Sequence, residues 1–152
     1  MSPEHPNAAL TRRVFAAFGK DPKAISAGFS REIVWRVPGN TVMSGEYRGR
    51  REVVEFLRRT GLETDQTYGS RLHTVLANDA WGLAVYRAWG TRNGIDLDVD
   101  QAFVIRFEDG LWKEVTAVPL DSAFERFWAG SVAGEADDAR PEDRGAGGAA
   151  GA

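Results

Sequence analysis

His73 and Tyr86 are the side chains of this chain best suited to moving or polarising a proton. An imidazole titrates near neutrality and can act as general acid or base, and a phenol can donate to a ketone, an epoxide oxygen or a developing oxyanion. Glu114 adds a carboxylate on a strand, where it is either raised in pKa by desolvation or tied to Arg71 or Lys113 in a salt link. Structural alternatives stand beside each: His73 bonded to a backbone carbonyl, and Tyr86 filling the core with its hydroxyl satisfied. Asp98 and Asp100 resemble a catalytic pair because alternate strand residues share a face, but Arg87 opposite Asp100 explains them as surface charges. Asp121 precedes a short apolar stripe and fits a helix N-cap. The chain has no cysteine and only two histidines, His5 and His73, too far apart for a histidine cage. No metal site is expected, and any chemistry is expected to be cofactor-free.

The elements that must position these groups fit one domain. In 152 residues, 43% are hydrophobic and 27% charged, with a net charge of -3. No basic cluster exceeds Arg48, Arg50 and Arg51, so no nucleic-acid partner is expected. The sequence opens without a basic region and apolar run and has no membrane-length apolar stretch, which predicts a cytoplasmic protein without a membrane partner. From Gly130 onward Gly, Ala, Asp, Glu, Arg and Pro dominate, too little apolar surface to offset ordering. The organisation is therefore a flexible lead-in over 1–7, a folded domain over 8–129 and a disordered tail over 130–152.

Within the domain, Leu10, Val14, Phe15 and Phe18 recur at helical spacing before Gly19. Asp21-Pro22 opens a second, short helix that Gly28 closes. Ile33, Trp35 and Val37 alternate on one face of a strand from about Arg31, which Pro38-Gly39 ends. A loop leads to a third helix, from about Arg50 to Thr60, carrying Val53, Val54, Phe56 and Leu57. Three turn signals, Asn78-Asp79, Asn93-Gly94 and Asp109-Gly110, then divide a four-stranded meander. A last helix carries Phe124, Phe127 and Trp128.

Two-residue turns fix which side chains share a face. Asn93-Gly94 sets Tyr86 opposite Gln101 and Ala84 opposite Phe103. Asp109-Gly110 sets Phe103 opposite Thr116 and Ile105 opposite Glu114. Asn78-Asp79 sets His73 opposite Ala84 and Arg71 opposite Tyr86. One face then carries Arg71, His73, Tyr86, Gln101, Phe103, Glu114 and Thr116. The other carries Arg87 with Asp100 and Trp89 with Asp98, alongside Leu72, Leu83, Val85, Val104 and Val115.

This element order resembles the SnoaL-like family of nuclear transport factor 2-like proteins, over roughly residues 8 to 129. The likeness rests on Trp35-Arg36-Val37-Pro38-Gly39, on Ser44-Gly45-Glu46-Tyr47-Arg48-Gly49 before the third helix, on Asp109-Gly110-Leu111-Trp112-Lys113-Glu114, and on Asp121 with Phe127-Trp128. It implies an α+β fold: a cone-shaped, strongly curved antiparallel sheet with N-terminal helices around one pocket, often homodimeric. The superfamily includes steroid isomerases, polyketide cyclases, epoxide hydrolases and dehydratases, and also proteins with no chemistry. By comparison with the steroid isomerases, their oxyanion-hole acid falls on Phe103, which assigns the Phe103 face to the pocket. Their general base falls on Val37 and their oxyanion tyrosine near Val14, so steroid isomerisation is disfavoured. The essential aspartate of limonene-type epoxide hydrolases falls on Val118, which disfavours that chemistry too. Where the family pattern often has Trp two residues after the acid matching Glu114, Thr116 leaves a larger pocket.

The expectation is an enzyme that performs cyclisation, isomerisation or epoxide opening on a hydrophobic small-molecule biosynthetic intermediate. In it His73 moves the proton and Tyr86 polarises oxygen, while Trp35, Arg71, Gln101, Phe103, Glu114 and Thr116 bind substrate, with Trp112 in the wall or floor. The alternatives are a non-catalytic ligand-binding domain and a dimerising accessory protein that works through Leu83, Val85, Val104 and Val115.

Overall fold

A computed structural model describes residues 3–130. Residues 1–2 and the expected disordered tail from 131 onward lie outside the described residues. In chain order the elements are α1 (Pro6–Ala17), α2 (Pro22–Ala27), β1 (Phe29–Val37), β2 (Gly45–Arg48) and α3 (Gly49–Glu63). There follow β3 (Gly69–Ala77), β4 (Trp81–Arg92), β5 (Ile95–Glu108), β6 (Leu111–Pro119) and α4 (Ala123–Phe127).

Local chemistry sets the helix starts. Pro6 occupies the first turn of α1, where its missing N–H costs nothing, and His5 Nδ1 accepts from Asn7 N at 3.0 Å. Pro6 and Asn7, expected in the flexible lead-in, thus belong to α1. The buried Asn7 amide donates to Asn78 O and Asp79 O at 3.1 and 3.2 Å, tying α1 to the β3–β4 turn. Asp21 caps α2 by accepting from Ala24 N, and Asp121 Oδ1 accepts from Ala123 N at the start of α4. The segment between β1 and α3, expected as a loop, contains the short strand β2 paired antiparallel to β1.

The six strands form one curved sheet in the order β2-β1-β6-β5-β4-β3. Its β1–β6 pair is parallel and the other pairs are antiparallel. At the β4–β5 hairpin Asn93 and Gly94 both have positive φ, 51° and 78°, and the pairing is Tyr86 with Gln101 and Ala84 with Phe103. That register matches the one the turn sequence predicts.

Two bulges make the neighbouring registers differ. The β3–β4 turn falls on Asp79-Ala80, with Asn78 N donating to Trp81 O and Asn78 Oδ1 accepting from Ala80 N and Trp81 N. On its own this one-position move preserves the faces. His73, however, is an extra residue between Leu72, opposite Tyr86, and Thr74, opposite Val85. Leu72 therefore turns inward and Arg71 outward. In β6, Lys113 is extra between Trp112, opposite Phe107, and Glu114, opposite Arg106. Val115 and Ala117 then face inward, opposite Ile105 and Phe103, and Glu114 and Thr116 face outward. Each bulge bends its strand and adds twist, which curls the sheet around its inner face.

Aromatic side chains fill that inner face. Trp35, Trp112, Phe29 and Phe127 are at most 1% exposed, and burial of each contributes about 1.5–3 kcal/mol. Trp112 Nε1 donates to Thr11 Oγ1 at 3.1 Å, which satisfies the indole and joins β6 to α1. A buried ion pair closes the far end: Arg92 Nε lies 3.1 Å from Glu63 Oε1, with side chains 3% and 6% exposed. Arg92 Nη1 also donates to Phe127 O and Ala129 O, holding the end of α4 against the end of α3. Replacing Arg92 by Met should cost about 3 kcal/mol or more, because it strips a buried carboxylate of its guanidinium. Urea unfolding checks this, and a change below about 0.5 kcal/mol would refute the clamp.

Candidate ligand-binding site

Between the concave face and the helices lies a cavity of about 480 Å³. Its sheet wall is Trp35 from β1, Tyr86 from β4, Gln101 and Phe103 from β5, and Ala117 from β6. Phe15 of α1 and Phe18 at its C-terminal end, Ile25 of α2 and Val54, Phe56 and Leu57 of α3 cover it, and Phe124 and Trp128 close one side. Ring contacts fix the wall: Phe103 packs edge-on against Trp35 at 5.0 Å and tilted against Tyr86 at 4.8 Å, and Phe15 lies 5.3 Å from Tyr86. Exposed lining residues, Lys20 between α1 and α2, Pro22 at the start of α2, Arg58 on α3 and Gln66 just after it, mark the mouth.

Polar groups inside are few and uncharged. Gln101 Nε2 donates to Tyr86 Oη at 2.9 Å, and both residues are buried. Gln101 Oε1 has no hydrogen-bond partner among the described residues. Tyr68, half-buried beside Trp128 at the start of β3, also lines the cavity and is the polar neighbour of Tyr86. Burial pushes both phenols well above the ordinary phenol range; the Gln101 hydrogen bond opposes this at Tyr86, and the Tyr86 contact opposes it at Tyr68. Both are therefore neutral hydrogen-bond donors at physiological pH. Among the described residues no Asp, Glu or His lines the cavity, and no cluster of His, Cys, Asp or Glu could hold a metal ion.

Of the residues singled out in the sequence, Trp35, Tyr86, Gln101 and Phe103 meet at this cavity, and Arg71, His73, Glu114 and Thr116 do not. The bulge at His73 puts Arg71 and His73 on the outer face, where His73 Nε2 lies 2.9 Å from Asp100 Oδ1. Asp100 also pairs with Arg87, and these partners hold its carboxyl below the usual range, the His73 hydrogen bond most strongly. The bulge at Lys113 turns Glu114 and Thr116 outward in the same way. Glu114 sits between Arg36, at 2.9 Å, and Arg106, at 2.7 Å, instead of Arg71 or Lys113. Those two guanidiniums lower its pKa, Arg36 foremost. Trp112 is core behind the wall, and Val115, expected outside, is fully buried. Tyr68 was missed because it lies one residue before β3, outside the register that the turns set; its backbone packs on Gly90, where a Cβ would stand 3.2 Å from Tyr68 Cα.

A family model for the SnoaL-like domain matches residues 11–115. The chain belongs to the SnoaL-like family. Among relatives of this SnoaL-like protein, an uncharacterized protein of Mycobacterium tuberculosis is 34% identical over 123 residues, covering 79% of this chain and 94% of the relative. The solved structure of Bal32a, from a soil-derived mobile gene cassette, superposes with a TM-score of 0.77 at 30% identity, covering 81% of this chain and 96% of that one. A putative SnoaL-like polyketide cyclase from Jannaschia superposes at 0.69 with 13% identity over 85% and 96% of the two chains, a likeness of fold. No helix among the described residues is long and apolar enough to cross a membrane.

A phenol whose folded-state pKa exceeds its unfolded value adds stability that is complete below the unfolded pKa and lost as pH rises through the folded one. Taking 10.0 as the unfolded value, stability to urea should hold up to that pH and fall above it. Tyr86→Phe should flatten the fall. Ionisation of all three tyrosines near their ordinary pKa in the folded protein, seen by ultraviolet absorbance, would contradict this.

Proposed function

We propose that this SnoaL-like domain binds a hydrophobic, ring-containing small molecule and orients it by a hydrogen bond to Tyr86. The observation that carries the proposal is the buried Tyr86–Gln101 pair on the wall of an otherwise apolar cavity of about 480 Å³. Such a volume suits a small-molecule site whose few polar groups set orientation. Gln101 Nε2 occupies one lone pair of the Tyr86 oxygen, and the phenol O–H, which faces Tyr68, can turn to a ligand oxygen. Apolar walls supply affinity, and the phenol selects ligands that carry an acceptor such as a carbonyl.

The neutral aromatic dye N-phenyl-1-naphthylamine tests the cavity, and 2-acetylnaphthalene tests the hydrogen bond. The dye should bind with enhanced fluorescence and be excluded by Leu57→Trp, which fills the cavity from the half-buried side of α3. Tyr86→Phe should weaken 2-acetylnaphthalene about three- to tenfold, the worth of one hydrogen bond, and leave the dye unaffected. No dye binding by the wild type, or equal binding by Leu57→Trp, would refute the proposal.

The phenols also favour a second reading, an enzyme that catalyses cyclisation or isomerisation by polarising a substrate carbonyl. Proton transfer by His73 plays no part in it, since His73 lies across the sheet from the cavity. Tyr86→Phe would then lower kcat more than it raises KM, the mark of an interaction strengthened in the transition state. We further propose that two copies associate through the exposed Leu76, Trp81 and Leu83 of the outer face. Trp81→Glu should convert dimer to monomer in sedimentation; an unchanged mass would exclude this surface.

A further inference from the structure

We infer that the ligand is an amphipathic acid, held with its ring system in the cavity and its anionic group at the mouth between Lys20 and Arg58. The inference rests on the cavity-binding reading above and adds the ligand's charge and polarity. Among the described residues two cations line the cavity, Lys20 in the α1–α2 connection and Arg58 on α3, and no carboxylate does. Both are exposed and Tyr86, Gln101 and Phe103 are buried, so charge and depth are segregated.

The acids close to these cations in sequence are already engaged. Asp21, beside Lys20, accepts from Ala24 N to cap α2. Glu55 holds Arg58 through Nε and Nη2, and Nη1 takes no part in that pair. Lys20 forms no ion pair among the described residues. Its ammonium is a charge at the rim of an apolar space, with no acid lining that space to balance it.

Depth fixes the orientation. The inner end offers neutral donors and an apolar wall, where an unpaired carboxylate would have to shed its water without a cation in exchange. At the mouth the same carboxylate keeps part of its hydration and faces two positive groups. A cationic ligand meets like charge there. An acid with a ring system is thus accepted in one direction, rings first, and any neutral oxygen at its inner end can reach Tyr86.

Two dyes of the same skeleton separate this inference from the reading beneath it: 1-anilinonaphthalene-8-sulfonate, an anion, and neutral N-phenyl-1-naphthylamine. Lys20→Glu should weaken the sulfonate at least about fivefold, the scale of losing one exposed ion pair and adding a repulsion. The same variant should leave the neutral dye within about twofold. Arg58→Gln should act in the same direction and less strongly, and rising salt should weaken only the sulfonate. Both substitutions are at exposed positions, and circular dichroism and thermal melting verify the fold. Unchanged sulfonate affinity in Lys20→Glu, or equal loss for both dyes, would overturn the inference with cavity binding intact. Failure of the wild type to bind either dye would overturn both together.

Discussion

Curvature is the constraint on which the rest of this molecule depends. A regularly paired sheet is too flat to surround a ligand-sized space, and strand twist alone does not close one. Here two inserted residues, His73 in β3 and Lys113 in β6, bend strands on either side of the long β4–β5 hairpin. The inner face becomes a trough, and α1, α2 and α3 cover it. Everything that distinguishes the site follows from this arrangement, including which side chains reach the trough and which are turned away from it.

The same bulges sort the charges. Glu46, Arg36, Glu114 and Arg106 alternate in sign across neighbouring strands of the outer face, and Arg87 with Asp98, Asp100 and His73 continues the pattern. Each pair is solvated and contributes little stability. Their effect is on the cavity, since a carboxylate such as Glu114, turned inward, would stand desolvated in an aromatic wall. Placing it between two guanidiniums outside leaves an inner wall whose buried polar groups are the Tyr86 phenol and the Gln101 amide. That composition suits recognition through hydrogen bonds and dispersion, and it separates this member from relatives of the fold that depend on an internal acid.

Much of the fold was legible in the sequence because local chemistry determines it. Asp21-Pro22 starts a helix wherever it occurs in such a context, and Asn93-Gly94 selects a turn whose register extends through the whole hairpin, so Tyr86, Gln101 and Phe103 were placed together correctly. The other half of the site was not, because a turn fixes a register only as far as the first bulge. The bulges left a trace all the same. Leu72 and Val75 are separated by two polar residues, as are Trp112 and Val115. A spacing of three between inward side chains cannot occur in a regular strand, where the period is two. The extra residue is one of the pair between. Following the apolar phase along each strand, instead of counting outward from the turn, moves Arg71, His73, Glu114 and Thr116 to the outer face. Strand β2 offered no comparable clue, being four residues long and edge-paired through Gly45. The parallel β1–β6 pairing joins segments far apart in sequence, which no local pattern encodes.

The five tryptophans are divided in a way that gives the protein an optical asymmetry. Trp35 and Trp128 form part of the cavity wall and Trp112 is sealed behind it, whereas Trp81 and Trp89, 53% and 38% exposed, lie toward solvent. Emission from such a chain is a sum of two populations, one blue-shifted by its dry surroundings and one red-shifted by water. A molecule entering the trough touches only the first, and a molecule approaching the outer face touches only the second. The fold thus carries its own pair of reporters, one for each side of the sheet, with no label attached.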